Sequence, residues 1–171
     1  MSRRYPAMRE RPPGFRINPA SPLYGGLVFA GLGGFERSAR FQDFSSRGQH
    51  GVLTNMDPPT DWVWMPQLRR WGMDFDGVDD IVDCGIVLDN PRAITLSCWF
   101  YCRANPDAGV GMMTRFYWVP SCLYGMGVDP GPDLWGYIGT GEGFDSAYLY
   151  RPGGGVVTNQ WEHYAFTWDG S

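Results

Sequence analysis

The stretch Asp74-Phe75-Asp76-Gly77-Val78-Asp79-Asp80-Ile81-Val82-Asp83 is the key to the fold class. Two short runs, Met73-Asp74-Phe75-Asp76 and Asp80-Ile81-Val82, mix apolar and acidic residues over strand-like lengths. Between them, Gly77-Val78-Asp79 is a turn cluster in which glycine takes a positive φ without steric cost. The pattern predicts a tight β-hairpin. Met73, Phe75 and Ile81 are expected to face a core while the acids crowd the rim or the wet face.

Outward from this stretch the same signature recurs. The 171 residues are enough for one domain with a core of its own. Aromatics make up 16%, beside 24 Gly and 14 Pro, a balance of short strands and loops that predicts an all-β fold. No window keeps apolar residues at helical spacing for three turns, so long helices are not expected. No run of 18 apolar residues occurs, so no membrane partner is expected. The first 16 residues lack an apolar segment behind their arginines and do not read as a secretory signal.

Charge is unevenly spread. Arg3, Arg4, Arg9, Arg11 and Arg16 stand against Glu10 alone, a local net of +4, which leaves −8 on the remainder of a chain whose total is −4. All 14 basic residues are arginine, whose planar guanidinium suits carboxylates and aromatic faces. Residues 1–22 also carry Pro6, Pro12, Pro13, Pro19 and Pro22, which bar a helix or a central strand. They read as an extended arm, either a plain tail or a segment lying on an acidic neighbour with Phe15 and Ile17 as apolar anchors. Nucleic acid is not expected as a partner, because the arm is short and the body acidic. The four cysteines, Cys84, Cys98, Cys102 and Cys122, lack metal-ligand spacing. Cys98 and Cys102 lie about 13 Å apart along one strand at ~3.3 Å per residue, too far to bond each other. Free thiols are expected.

Leu23 to Phe29 reads as a first strand. Phe41 to Leu53 reads as a loop feeding a short strand, with Asp43 and Ser45 placed to bond backbone amides just ahead of them. Trp62 to Met65 follows as a strand or hydrophobic loop. Ala93 to Cys102 is the clearest strand: one parity holds Ile94, Leu96, Cys98, Phe100 and Cys102, the other Thr95, Ser97, Trp99 and Tyr101. It is expected as an inner strand of a sandwich, apolar on its core face and half covered on the other. Further short strands are predicted over 112–118, 123–128, 134–138 and 147–150. A last strand covers 160–168 and ends at the Asp169-Gly170 turn signal.

Four pieces in order carry a resemblance. They are Asp43-Phe44-Ser45-Ser46-Arg47-Gly48-Gln49-His50-Gly51-Val52-Leu53-Thr54, Phe75-Asp76-Gly77-Val78-Asp79-Asp80-Ile81-Val82, Ile94-Thr95-Leu96-Ser97-Cys98-Trp99-Phe100, and Trp161 to Ser171. Together they resemble laminin-G-like domains of the concanavalin A-like lectin/glucanase superfamily. The resemblance implies a two-sheet antiparallel jelly-roll sandwich over 23–171, preceded by the arm. The family continues past the Trp-Asp-Gly turn with strands absent here, which implies a truncated sequence, strands supplied by another chain, or a trimmed fold. The lead-in Arg16 to Leu23 resembles the start of such domains in tailed-phage structural proteins.

Several groups are chemical candidates. Asp74 and Asp76 have the alternate spacing of paired carboxylates, but the family uses this hairpin as scaffold and no catalysis is expected. Asp43, Asp76, Asp79 and Asp80 sit on loops that could converge on calcium, which wants six to eight oxygens. The plainer reading is that they satisfy local amides. His50 and His163 have no nucleophile or metal partner visible in the sequence. Trp118, Tyr124, Trp135 and Tyr137 belong to a surplus of aromatics suited to stacking on sugar rings or to protein interfaces. The expected function is therefore a non-enzymatic structural protein on a phage-type particle, a capsid decoration or tail-associated protein. It would be attached to other chains, or to copies of itself, through Arg3, Arg4, Arg9, Arg11, Phe15 and Arg16. The rival is an extracellular carbohydrate-binding module working through its loop aromatics.

Overall fold

The computed structural model describes residues 17–31, 39–68, 70–89, 91–115, 124–131, 133–139, 148–151 and 155–170. Eleven strands lie within these residues, all paired antiparallel, and the helical content is one 3-10 turn and one four-residue helix. The fold is all-β. Among the described residues no helix is long and apolar enough to cross a membrane. The chain divides into two compact units, Met1–Val87 and Leu88–Ser171.

In the first unit, β1 (Arg40–Phe41), β2 (Gly51–Thr54) and β5 (Ile81–Asp83) form a three-stranded sheet in the order β1-β2-β5. After the short helix α1 (Pro58–Asp61), β3 (Trp62–Met65) and β4 (Arg70–Met73) form a two-stranded ribbon. Aromatic rings make its interior. Phe29 stacks on Phe41 at 6.3 Å between centroids, and Phe41 on Trp62 at 6.4 Å, leaving Trp62 buried. The predicted strand over Leu23–Phe29 is instead a 3-10 turn at Tyr24–Gly26 followed by irregular chain. Gly25 and Gly26 weaken a strand there, and Leu23 stands in solvent with its amide donated to the Ser21 hydroxyl.

The predicted hairpin around Gly77 does not form. β4 ends at Met73 and pairs with β3, so that Trp62 lies opposite Met73 and Trp64 opposite Trp71. β5 pairs with β2. Phe75 and Ile81, expected inside, are 48% and 54% exposed. The physical reason lies in the acids. Asp76 Oδ1 accepts from the Val78 and Asp79 amides, and Asp80 Oδ2 accepts from the Asp76 amide, which closes 76–80 into a self-bonded loop. Side chains that occupy the backbone donors in this way compete with a ladder between the flanking strands. Gly77 does take the positive φ expected of it, +79°.

The second unit holds two sheets. A ribbon pairs β6 (Ile94–Tyr101) with β11 (Trp161–Trp168) over eight residues, from Ile94 opposite Trp168 to Tyr101 opposite Trp161. A four-stranded sheet runs β10-β9-β8-β7, with β7 Val110–Arg115, β8 Tyr124–Asp129, β9 Asp133–Ile138 and β10 Tyr148–Arg151. The core lies between them. Ile94, Leu96 and Phe166 come from the ribbon, while Tyr124, Met126 and Ile138 come from the sheet. Gly136 lets the layers approach: a Cβ there would lie 2.3 Å from the Phe166 ring. The inner position expected for β6 differs from what the described residues show: among them it pairs with β11 alone, and Thr95, Ser97, Trp99 and Tyr101 on its second face are exposed.

Candidate functional site

The uncovered face of the β6–β11 ribbon is the most chemically distinctive surface of the second unit. Strand pleating sends alternate residues to opposite faces. With Ile94 and Leu96 in the core, Thr95, Ser97, Trp99 and Tyr101 must face outward. The register sets Thr95 opposite Thr167, Ser97 opposite Ala165, Trp99 opposite His163 and Tyr101 opposite Trp161. Cross-strand neighbours at this spacing touch. The two threonine hydroxyls lie 3.2 Å apart at one end. At the other end the Trp99 and His163 rings are 5.1 Å apart and the Tyr101 and Trp161 rings 5.5 Å apart. Trp99 is 59% and Tyr101 40% exposed. The result is a face graded from small hydroxyl and methyl groups to a double rung of rings. It contains no Asp, Glu or Arg.

The loop into β11 is held by one carboxylate. Glu162 Oε2 accepts from the Val157 amide and the Tyr164 hydroxyl, and its Oε1 from the Gln160 side-chain amide. Asn159, in the left-handed region at φ +63°, donates its amide to the Cys102 carbonyl just past the end of β6. These bonds fix the ring-bearing end of the ribbon.

The predicted calcium set divides. Asp76, Asp79 and Asp80 bring carboxylate oxygens within 4.8 Å of one another. They are largely spent locally: besides the loop bonds above, Asp79 Oδ2 accepts from the Asn55 side-chain amide, which also bonds the Asp79 carbonyl. Asp43 stands outside this group. It is 5% exposed and accepts from the Ala30, Ser45 and Gln49 amides and the Ser45 hydroxyl. Burial opposes its charge, but those bonds outweigh burial and hold its carboxyl below the usual value of 3.8. Around it, His50 Nδ1 accepts from the Asp43 amide, and the Gln49 side chain donates to the Cys84 and Ile86 carbonyls. Asp43 is a structural knot, with its oxygens committed to the backbone.

The predicted stacking aromatics divide too. Tyr124 and Tyr137 are only 7% and 6% exposed, so neither offers a ring face to a sugar. Tyr124 belongs to the core. Trp135 is half-buried over Gly127, where a Cβ would lie 2.4 Å from the indole. Trp118 and the arm residues Arg3, Arg4, Arg9, Arg11, Phe15 and Arg16 lie outside the described residues, as does Cys122. Sequence reading did not single out Trp99, Tyr101, Trp161 and His163 as a group. Its signal was present in β6, where one parity turns from Thr and Ser to Trp and Tyr. The partner strand and register that double it are long-range facts. No family model, curated protein or solved structure matches the chain.

Proposed function

We propose that this chain is a non-enzymatic structural protein of a phage-type particle, a laminin-G-like jelly roll joined to neighbouring chains at the particle surface. The observation that carries the reading is the apolar surface both units leave in solvent. The first unit exposes Val52, Phe75, Val78, Ile81 and Ile86; the second exposes Trp99, Tyr101, Val110 and Val157. Side chains of this kind are tolerated singly, but in such number they fit contacts made in an assembly. The two layers of the second unit suit a sandwich, and the sequence resemblance supplies the particle.

The carbohydrate-binding reading keeps one observation in its favour. Trp99 and Tyr101 present rings to solvent beside hydroxyl groups, an arrangement suited to a sugar's apolar face and its hydroxyls. Imaging the native assembly and screening the isolated chain on a glycan array separate the two. The expected result is a chain seated among protein neighbours that cover its exposed apolar groups, with a blank array. Glycan binding by an isolated chain that is absent from any particle would overturn the assembly reading.

A further inference from the structure

We propose that the outer face of the β6–β11 ribbon is a contact between two copies of this chain, packed face to face with their ribbons antiparallel. The proposal deepens the assembly reading and rests on it for its biological use. The size gradient along the face is the first argument. A two-fold axis through the middle of the ribbon would bring the Tyr101–Trp161 rung of each copy over the Thr95–Thr167 rung of the other. It would likewise set Trp99 and His163 over Ser97 and Ala165. Tall rings then meet low side chains at every rung, which is the complementarity an isologous interface requires. A parallel arrangement would set ring on ring at one end and leave a gap at the other.

Charge is the second argument. Each copy carries −4 overall, with the −8 remainder setting like charge against like wherever two bodies meet through charged faces. A face without Asp, Glu or Arg brings no like charges into contact and strands no ion in the interface. The polar groups left there are hydroxyls, two indole N–H groups and an imidazole. A ribbon eight residues long spans roughly 26 Å and is two strands wide. It covers a few hundred Å², below the roughly 800 Å² per partner of a stable pair. The pair is therefore weak in dilute solution and gains strength where many copies are held together.

Sedimentation velocity on the full chain, from micromolar to near-millimolar concentration, tests this. The expected result is a reversible monomer–dimer equilibrium. Trp99→Ser should weaken it by roughly tenfold or more, as loss of a central interface ring does. Ser97→Trp, at the low end of the face, should weaken it comparably by setting ring against ring. Both positions are exposed, so both variants keep the fold. A chain that stays monomeric throughout would overturn the proposal, and so would dimerisation unchanged or strengthened by Ser97→Trp. A monomer that binds a glycan through Trp99 would also overturn it. Incorporation of the chain into a particle is a separate measurement, so failure of the pair and failure of the assembly reading are distinguishable.

Discussion

Asp43 shows how much a single buried acid decides. Four accepted hydrogen bonds tie Ala30, Ser45 and Gln49 to one side chain and set the path of the loop between β1 and β2. Because the native carboxyl is held below 3.8, its contribution is complete above that value and is lost as pH falls through the lower native one. Asp43→Asn should cost roughly 2–3 kcal/mol near neutrality, since charge-assisted bonds are lost and a donor is turned onto amides. Denaturant titrations of both proteins from pH 7 downward should show the gap narrowing in acid; a gap independent of pH would mean the charge is not what matters. Gly77 works through backbone conformation instead. A Cβ on Gly77 would meet open space, so the cost of Gly77→Val lies in the strained φ of +79°, roughly 1–3 kcal/mol. A melting temperature equal to the parent's would remove that account. Among the described cysteines, Cys84, Cys98 and Cys102 are free. Burial pushes the Cys84 and Cys98 thiols up to about 11, with Asp83 and Asp43 adding to the shift at Cys84. A thiol reagent applied without reductant should label all four cysteines of the unfolded chain and label Cys84 and Cys98 slowly in the native one. Recovery of two or fewer labels from the unfolded chain would show disulfides.

At the scale of elements, what the sequence made legible followed local pattern. The parity of Ile94, Leu96, Cys98 and Phe100 placed β6 and its core face correctly, and the strand over 161–168 was legible in the same way. Asp43 and Ser45 bonding the amides ahead of them followed from residue chemistry. Pairing did not follow. Met73 and Ile81 flank a plausible turn, yet each strand finds its partner elsewhere, because the side-chain bonds of Asp76 and Asp80 close the intervening loop on itself. The second face was legible only in part: Trp99 and Tyr101 stood on the parity expected to be half covered, and their 59% and 40% exposure and the pairing with His163 and Trp161 are set by long-range structure. Layer packing adds a test. Gly136 sits beneath the Phe166 ring, with a prospective Cβ 2.3 to 2.8 Å from three ring atoms including Cγ. The ring's base cannot swing away freely, so Gly136→Ala should destabilise by roughly 1–3 kcal/mol. Pairing it with Phe166→Leu should recover part of that loss, and a fully additive double variant would place the strain elsewhere.

Across the whole molecule, charge separates an arginine-rich beginning from an acidic remainder. Five of the 14 arginines fall in the first 16 residues, among prolines that oppose regular structure, while the rest of the chain nets −8. On the proposed assembly reading this segment lies on an acidic partner, where each guanidinium can fork onto a carboxylate and Phe15 can fill a pocket. This division of labour differs from that of the ribbon face, which is uncharged and suited to contact between copies. Deleting residues 1–16 should therefore leave the strands' circular dichroism and melting intact but abolish incorporation into the assembly. Raising salt should loosen the intact protein's attachment, because screening shortens the reach of each arginine to about 8 Å at physiological ionic strength and less above it. The ribbon-mediated pair, having no ions in it, should hold or tighten under the same salt. Normal assembly of the deleted chain would make the arm a passive tail, and attachment indifferent to salt would show that its arginines are not what binds.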